Sequence, residues 1–460
     1  MSSALEDYRQ AERYVNSLIM GPPSPPAGTP AEEIRARAVA RLERLSAFLG
    51  FLGDPQRQYR TIHVAGTSGK GSTSTFTASI LTAAGFRTGT HVSPYLQVAT
   101  EKLQIDGQIV AASRYAALVA SMRASVEAWV AAGHERPNYG EFWVAMTYRY
   151  FAEERVDVAV IEVGAGGRFD VTNVIEPDVA AVTSIGYDHT VTLGSTLPEI
   201  AWHKAGIIKP ESIAVTAVSD PEALSVIEAE ARQQGVELRY VRPGVEYDEI
   251  RSDEHGTSFV DRRSGRRFHV RLPGTFQAAN AATAMSIARA FDAERVTDAA
   301  IESGLKATRF PGRMETVQRD PLVLLDGAHN PEKVASLVRN LDALYSSRRR
   351  ILVFGALESK SYQEMLESLL PGTNVLIATS PQVFAKPSTT AAEIAALAPA
   401  DLEVEAIDDP IAAANRAVEL AGPNDIVVIT GSLYLVGNVR ERWYPTKRIL
   451  ELGTCWPESA

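Results

Sequence analysis

One short tract combines a lysine, three glycines and several hydroxyl side chains in a spacing that can bind phosphate. Residues 61–73 read T-I-H-V-A-G-T-S-G-K-G-S-T, with a β-branched apolar run before the glycines and a helix-forming run after them. In that context the glycines allow a tight turn that directs backbone N–H groups to an anion beside the positive end of a helix. The tract therefore predicts a nucleotide triphosphate site, in which Lys70 reaches the outer phosphates and Ser72 or Thr73 holds Mg²⁺.

This tract departs from the common P-loop at one position. Gly71 separates Lys70 from Ser72, whereas the common pattern places Ser or Thr directly after the lysine. The alternative interpretation is an ordinary strand-to-helix turn with a solvated lysine. The strand before the glycines and the helix after them favour phosphate binding.

Two further tracts place metal-binding side chains where predicted strands end. I-E-V-G-A-G-G-R at 161–168 contributes Glu162, and G-Y-D-H-T at 186–190 contributes His189. Ligands of an open α/β sheet bind outside the carboxyl ends of its strands, and a carboxylate beside an imidazole can hold a divalent ion. Either residue alone is more often a capping or hydrogen-bonding group. Beside a P-loop, the pair favours a metal site.

Three more tracts carry side chains that could act on a phosphate or a carboxylate. Lys204 lies in H-K-A-G-I-I-K-P, His329 follows Asp326 in D-G-A-H-N-P, and Arg313 lies in F-P-G-R-M-E. The alternatives are a solvated lysine for the first and an Asx-type turn that caps the next helix for the second. An arginine between two domains can complete a phosphate site when the domains close.

The elements that must position these residues form two α/β series. Apolar strands alternate with helical segments after residue 61, which predicts a parallel sheet covered on both faces. The strands of this first series are predicted at 61–64, 156–163, 179–185 and 212–217, and its helices at 141–153, 197–207, 222–233, 277–291 and 297–305. Two helices, at 5–20 and 31–52, precede it with a proline-rich loop at 21–30 between them. Residues 246–272 predict a β-hairpin with Ser264-Gly265 at its turn.

A second strand-helix series begins near Pro321 and predicts a smaller doubly wound, Rossmann-like domain. Phe310-Pro311-Gly312 breaks the helical pattern before it, so we expect a P-loop nucleotide-binding domain at 1–312 and a C-terminal ligase domain at 313–460. The predicted strands are 323–325, 351–354, 375–378 and 426–430, and the predicted helices 332–345, 362–370, 391–397 and 411–420.

Composition limits the classes of protein that this chain can belong to. Of its 460 residues, 45% are hydrophobic and 22% are charged, which is typical of a globular protein with room for two domains. The net charge of -10 gives no support for a nucleic-acid or anionic-membrane surface. Cys455 is the single cysteine, and no apolar run is long enough to span a membrane. We expect a cytoplasmic monomer with neither nucleic-acid nor membrane partners.

Taken in order, the motifs resemble those of the folylpolyglutamate synthase and dihydrofolate synthase family, the folate branch of the Mur ligases. The resemblance extends over roughly residues 31–440. It rests on G-T-S-G-K-G-S at 66–72, S-P-Y-L at 93–96, E-V-G-A-G-G-R-F-D-V-T-N at 162–173, D-H-T at 188–190, H-K-A-G-I-I-K-P at 203–210, F-P-G-R-M-E at 310–315 and D-G-A-H-N-P at 326–331.

The resemblance implies an ATP-dependent ligase that joins a folate-type carboxylate, dihydropteroate or a reduced folate, to L-glutamate through an acyl phosphate. It implies Mg²⁺ as a cofactor and a carbamylated lysine at Lys204. By the same resemblance, Lys70, Lys204, Asp326 and His329 act in catalysis, and the metal ligands are Ser72, Ser93, Glu162 and His189. The ATP-binding residues would be Gly66, Thr67, Ser68, Gly69, Lys70, Gly71, Ser72, Thr73, Asn280, Arg313 and Asp326.

Departures from the family pattern concentrate away from the nucleotide motifs. Ser68 replaces an asparagine, Tyr95 a histidine, Lys102 an arginine, Gly140 a phenylalanine, and Lys386 lies near a common arginine. No pteroate-contacting loop is recognisable in residues 17–30. Two alternatives therefore stay open: a Mur-ligase relative that acts on a non-folate carboxylic acid, and a P-loop NTPase without ligase activity.

Overall fold

The computed structural model describes residues 3–19 and 29–457. Most of the predicted proline-rich loop, and Met20 at the end of the predicted first helix, lie outside these residues. The described chain contains two large sheets and one small one.

The first large sheet has eight strands in the order β4-β3-β2-β5-β1-β6-β7-β8. Strands β2, β5, β1, β6, β7 and β8 run parallel, and β3 and β4 complete one edge in antiparallel pairing. The strands are β1 Arg60–Ala65, β2 Thr88–His91, β3 Gln104–Ile105, β4 Gln108–Ile109, β5 Val158–Glu162, β6 Val179–Val182, β7 Ile213–Thr216 and β8 Leu238–Tyr240. The predicted parallel sheet is confirmed, and β2 and β8 extend it beyond the apolar runs that predicted it.

Helices cover both faces of this sheet, as burial of its central strands requires. They are α1 Ser3–Ser17, α2 Ala31–Phe51, α3 Lys70–Ala83, α4 Ala112–Ala131, α5 Tyr139–Glu153, α6 Thr190–Leu193, α7 Leu197–Ala205, α8 Pro221–Gln234, α9 Phe276–Phe291 and α10 Asp298–Ala307. Helix α3, which follows the glycine tract, packs against α9 and α10. Helix α4 was not predicted, and it packs against α1 and α5.

The predicted hairpin is a three-stranded antiparallel sheet in the order β11-β10-β9. Its strands are β9 Tyr247–Asp253, β10 Gly256–Asp261 and β11 Arg267–Val270. Ser264-Gly265 lies between β10 and β11 as predicted. A second turn at Glu254-His255 splits the first predicted arm into two strands, because Asp253 Oδ1 accepts the backbone N–H groups of His255 and Gly256.

The second large sheet has six strands in the order β12-β13-β17-β14-β15-β16, all parallel except β12. Its strands are β12 Glu315–Arg319, β13 Leu322–Leu325, β14 Arg349–Phe354, β15 Val375–Ala378, β16 Glu403–Ala406 and β17 Asp425–Thr430. The helices of this lobe are α11 Pro331–Tyr345, α12 Tyr362–Leu369, α13 Ala391–Ala395, α14 Pro410–Leu420, α15 Leu433–Arg440 and α16 Thr446–Leu452. This is the predicted doubly wound lobe. The division of the chain at residue 312 stays a prediction.

A large cleft separates the two large sheets. It has a volume of about 2100 Å³ and is lined by the segments that follow β5, β6, β13, β14 and β17, together with one side of α2. The ends of these strands thus meet at one place, where open α/β sheets bind ligands. In the described parts of the chain, no helix combines the length and apolarity needed to cross a membrane.

Candidate active site

The glycine tract forms a tight loop between β1 and α3. Gly66 and Gly69 have φ values of 151° and 83°, which side chains rarely adopt. A Cβ atom on Gly69 would lie 2.3 Å from Asn280 Oδ1, so α9 packs directly against the loop. This contact places Asn280, which was predicted to bind the nucleotide, beside the glycine tract although 211 residues separate it from Gly69 in sequence.

The loop leaves part of its polar surface free for a ligand. The backbone N–H groups of Thr67 and Ser68 donate to the carbonyl and hydroxyl oxygens of Ser184, so these two amides are engaged within the protein. Lys70, Gly71 and Ser72 begin α3, and their N–H groups have no acceptor within the helix. The buried hydroxyls of Ser68 and Thr73 lack hydrogen-bond partners in the described structure. These free N–H groups and hydroxyls are donors of the kind that bind a phosphate group.

Two lysines converge on one carbonyl oxygen of this loop. Lys70 Nζ donates to Gly66 O at 3.1 Å, and Lys204 Nζ, from α7, donates to the same oxygen at 2.9 Å. Burial, and after it the charge of Lys70, lowers the pKa of Lys204 to about 7. The structure thus brings the two predicted lysines together, and Lys204 loses its proton at a lower pH than an ordinary lysine.

Glu162 ends β5 beside the first turn of α3. Its Oε2 accepts the backbone N–H of Ser93 at 3.0 Å, and a Cβ atom on Gly71 would lie 3.3 Å from the same oxygen. Burial raises the pKa of Glu162, and the charges of Lys70 and Arg313 oppose that rise. Two of the predicted metal ligands, Ser93 and Glu162, are therefore in contact next to Ser72.

His189 lies in the loop between β6 and α6. It has a φ value of 52°, its side chain is half exposed, and its Nε2 is 3.9 Å from Asp188 Oδ1. No hydrogen bond or ion pair joins it to Glu162 in the part of the chain that the structure describes. Among the same residues, no three His, Cys, Asp or Glu side chains stand close enough to hold a metal alone. A metal here would need hydroxyl and phosphate oxygens as well, which is how Mg²⁺ usually binds nucleotides.

Residues of the second lobe lie close to Glu162 as well. Arg313 is buried over the ring of Phe310, with Cζ 5.0 Å from the ring centre, and its charge acts on both Asp326 and Glu162. Both carboxylate oxygens of Asp326 accept backbone N–H groups, from Met314 and from Ala328, each at 2.9 Å. The bond to Ala328 closes the Asx-type turn that was the alternative interpretation of this tract. Asp326 therefore both closes the Asx-type turn and lies beside Arg313.

His329 follows that turn and is held in one protonation state. Its Nδ1 donates to the carbonyl oxygen of Gly327 at 2.8 Å, while its Nε2 accepts from Lys333 Nζ at 3.1 Å. Burial, together with the charge of Lys333, lowers the pKa of His329 well below its ordinary value. His329 is thus a neutral imidazole whose two nitrogens are both engaged.

Asp188 joins the two lobes. Asn330 Nδ2 donates to its Oδ2 at 3.4 Å, and the ammonium groups of Lys333 and Lys360 lie 4.0 and 3.9 Å from its carboxylate. Burial raises the pKa of Asp188, but His189 and these two lysines outweigh burial and lower it to about 2. Sequence reasoning missed both lysines. Lys360 follows β14 at the carboxyl edge of the second sheet, and that position was the available signal.

An aromatic region beside the cleft holds a buried cation. Lys102 Nζ lies 4.5 Å from the ring centre of Trp143 and 5.5 Å from that of Tyr139. It pairs with no carboxylate in the described chain, and burial together with the charge of Lys386 lowers its pKa to about 8. Lys386, from the second lobe, contacts the hydroxyl of Tyr434 of the same lobe. Tyr95, half-buried, packs against the aromatic core of this region.

Helix α2 contributes arginines to the cleft. Arg44 pairs with Glu141 at 2.8 Å and with Glu135 at 2.6 Å. Arg41 donates from Nη2 to the carbonyl oxygen of Phe169 at 2.9 Å, but its buried Nε has no hydrogen-bond partner in the described structure. Arg41 therefore joins α2 to the segment after β5 and keeps one donor free.

Two family models match the chain. The Mur ligase middle domain matches residues 64–288, and the Mur ligase, glutamate ligase domain, matches residues 312–433. The dihydrofolate synthase/folylpolyglutamate synthase of Bacillus subtilis is 37% identical over 412 residues, which cover 87% of this chain and 94% of that protein. The folylpolyglutamate synthase of Lacticaseibacillus casei is 34% identical, over 86% of this chain and 93% of that protein.

Solved structures agree with the sequence comparison. The crystal structure of Mycobacterium tuberculosis folylpolyglutamate synthase complexed with ADP and AMPPCP matches with a TM-score of 0.82 and 28% identity. The match covers 96% of this chain and 99% of that one. The similarity thus extends through both lobes and the cleft between them.

Proposed function

The chain belongs to the folylpolyglutamate synthase and dihydrofolate synthase family of Mur ligases, and we propose that it joins L-glutamate to the carboxylate of a folate-type acceptor at the expense of ATP. The acceptor is dihydropteroate, a reduced folate, or both. The observation that carries this proposal is the convergence on the glycine loop of Lys70 and Lys204 from the first lobe and Arg313 and Asp326 from the second.

The chemistry that fits this site is phosphoryl transfer followed by amide formation. A carboxylate oxygen of the acceptor attacks the γ-phosphorus of ATP, which breaks the bond to the β-phosphate oxygen and releases ADP. The amine of L-glutamate then attacks the acyl carbon, loses a proton, and displaces inorganic phosphate. Both steps depend on positioning and charge neutralisation. Lys70, Arg313 and the free amides of α3 supply that neutralisation from the protein.

Mg²⁺ fits the oxygen-rich corner between Ser72, Ser93 and Glu162, where a buried carboxylate adjoins the first turn of α3. We propose these residues and His189 as its ligands. For the imidazole of His189 to reach the ion, the half-exposed loop that carries it must move. When bound, the ion neutralises charge on the phosphate oxygens. Ser68 would contact ATP through its side chain, since Ser184 occupies its backbone amide, whereas both the amide and the hydroxyl of Thr67 are engaged, with Ser184 and with Gly186.

We propose that Lys204 is carbamylated. Carbamylation needs a neutral amine to attack carbon dioxide, and the lowered pKa of this buried lysine provides one near pH 7. The product replaces a cation that repels Lys70 with an anion that attracts it. The proximity of both ammonium groups to the carbonyl oxygen of Gly66 supports this proposal.

A non-folate acceptor is the second candidate. The observation that favours it is the aromatic region beside the cleft, where Tyr95, Lys102 and Lys386 depart from the family pattern, whereas Ser68 is the single departure named in the nucleotide motifs. We also propose that the protein is a monomer that acts in the cytoplasm. A single cysteine suits a reducing compartment, and a net charge of -10 opposes self-association.

Mass spectrometry of reaction mixtures tests the proposal. Purified protein, ATP, Mg²⁺ and L-glutamate are incubated with dihydropteroate or with tetrahydrofolate, and the mass of the acceptor is followed. Addition of one glutamate to either acceptor supports the folate proposal and tells which acceptor is used. No addition to either, with ATP still bound, would favour another carboxylic acid. ATP hydrolysis that needs neither acceptor nor glutamate would instead favour an NTPase.

A further inference from the structure

Lys333 lies at the contact between the two lobes, next to Glu332 of the cleft lining, at a position that no motif predicted. It lies in the first turn of α11, two residues after Pro331, and its backbone N–H donates to the helix-capping Asn330 at 2.9 Å. This turn is pressed against the loop that follows β6. A Cβ atom on Gly186 would lie 2.5 Å from Glu332 Oε2, and Asn330 donates to Asp188. The first turn of α11 thus holds Lys333 against the first lobe.

The Lys333 ammonium has more donors than the protein uses. One N–H group donates to His329 Nε2 at 3.1 Å, and a second is directed to Asp188 Oδ2 at 4.0 Å, the outer limit of an ion pair. An ammonium carries three donors. Asp188 also has Asn330 and Lys360 as partners, so Lys333 is not needed to neutralise it.

The first turn of α11 lies beside the glycine loop, because Gly186, which packs against Glu332, exchanges two hydrogen bonds with the Thr67 hydroxyl of that loop. Burial lowers the pKa of Lys333 to about 8, and Lys70 is the charge that lowers it most. Lys333 in turn lowers the pKa of Lys204, whose ammonium contacts the same carbonyl oxygen as Lys70. Three lysines from three helices therefore repel one another around the loop. A phosphate group placed among these lysines would reduce their mutual repulsion.

We propose that Lys333 is a γ-phosphate ligand contributed by the second lobe, so that it distinguishes ATP from ADP and links nucleotide binding to the closed arrangement of the lobes. This inference rests on the proposed ATP-dependent function. In the complex, the ammonium donates to a γ-phosphate oxygen while His329 and Asp188 hold it in place. Arg313 acts from the same lobe, but its contacts lie on the side of Glu162 and Asp326.

Binding measurements that need neither acceptor nor glutamate test this inference. The affinities of ADP and of AMPPCP, the ATP analogue with a methylene bridge, are measured by calorimetry in the presence of Mg²⁺. Lys333→Met removes the charge and keeps the length of the side chain. We expect it to weaken AMPPCP binding by about 10- to 100-fold, as loss of a charged hydrogen bond does, and to change ADP binding less than about threefold. Lys333→Arg should retain most of the AMPPCP affinity.

Two results would overturn the inference. Equal losses for ADP and AMPPCP in Lys333→Met would mean that the lysine supports the loop and does not contact the γ-phosphate, and unchanged affinities would mean that it contacts neither nucleotide. If Lys333→Met does not fold, Lys333→Gln serves in its place. Lys306→Met is the control, because Lys306 is exposed on α10 and pairs with Glu302 at 2.8 Å.

The test separates this inference from the proposed function. A selective loss of AMPPCP affinity in a protein that adds no glutamate to either folate acceptor would support the role of Lys333 and reject the folate acceptor. Glutamate addition by the unmodified protein, with no nucleotide selectivity lost in Lys333→Met, would support the function and reject the role of Lys333.

Discussion

The two sides of the cleft are built in different ways. On the phosphate side, short continuous tracts carry the groups, and the backbone positions them: the glycine loop, the turn at Asp326 and the cap at Asn330. On the acceptor side, single residues come from distant parts of the chain, and side-chain packing positions them. Lys102 lies on aromatic rings of α5, close to Lys386 of the other lobe.

This difference indicates which parts of the site substitutions can change without loss of activity. A phosphate site made of backbone amides and converging charges tolerates little substitution, because each group depends on the same few turns. A site assembled from side chains can change one residue at a time. The departures from the family pattern fall mainly on the second kind of site. We therefore expect substitutions on the phosphate side to remove activity and those on the acceptor side to alter selectivity.

The largest effect is expected for Lys70→Ala. Loss of the ammonium from the glycine loop should lower kcat roughly 10³-fold or more, because the charge that develops on the phosphate oxygens is no longer neutralised. Glutamate addition measured by mass spectrometry, with circular dichroism as the check on folding, gives the result. A folded Lys70→Ala enzyme with normal turnover would show that the loop does not act on ATP.

A smaller but still large effect is expected for Lys204→Ala, about 10²-fold in kcat, with partial recovery on addition of a short carboxylic acid that replaces the carbamate. The activity of the unmodified enzyme should also rise with pH through about 7. The pKa of Lys204 is lowered to that value from its ordinary one, so the neutral amine that carbon dioxide requires increases as pH rises. Full activity of the variant without added acid, or carbamate content independent of pH by ¹³C NMR, would reject the carbamate.

Most of the fold was predictable because its central strands are apolar and alternate with helices. Strand β1 and the start of α3 follow directly from residues 61–73. The strand β2 was missed because Thr88–His91 reads T-G-T-H, although all four residues are buried. Its burial comes from pairing with β5 and β3, which no local pattern reveals.

The site was predictable to the same extent. Local motifs predicted the loop, Glu162, Lys204 and the Asp326 turn as parts of the site. They could not show that Ser184 engages the amides of Thr67 and Ser68, or that Lys333 and Lys360 converge on Asp188. The first contact depends on how neighbouring strands of one sheet place their loops, and the second on how the two lobes face each other.

A moderate effect confined to the acceptor side is expected for Lys102→Met. Its ammonium is buried without a carboxylate partner in the described chain, and we expect a substrate carboxylate to fill that role. The KM for L-glutamate or for the acceptor should rise about tenfold, while the KM for ATP stays unchanged. Steady-state kinetics with each substrate varied in turn gives the answer, with Lys447→Met as an exposed control. A rise in the KM for ATP of similar size would remove the distinction between the two sides.

The smallest effect is expected for Arg41→Ala. Its Nη2 holds the carbonyl oxygen of Phe169, in the segment that follows Glu162, and its Nε is the buried donor without a partner in the described structure. Removal of the Nη2 contact and of the free Nε donor should raise the KM for the acceptor about threefold. The effect is small because the Phe169 carbonyl can regain a partner from water. Arg13→Ala is the control, because Arg13 is exposed on α1, pairs with Glu6 and does not line the cleft. If Arg41→Ala instead lowers kcat as strongly as Lys204→Ala, the contact with Phe169 positions Glu162, and the two sides of the cleft act as one unit.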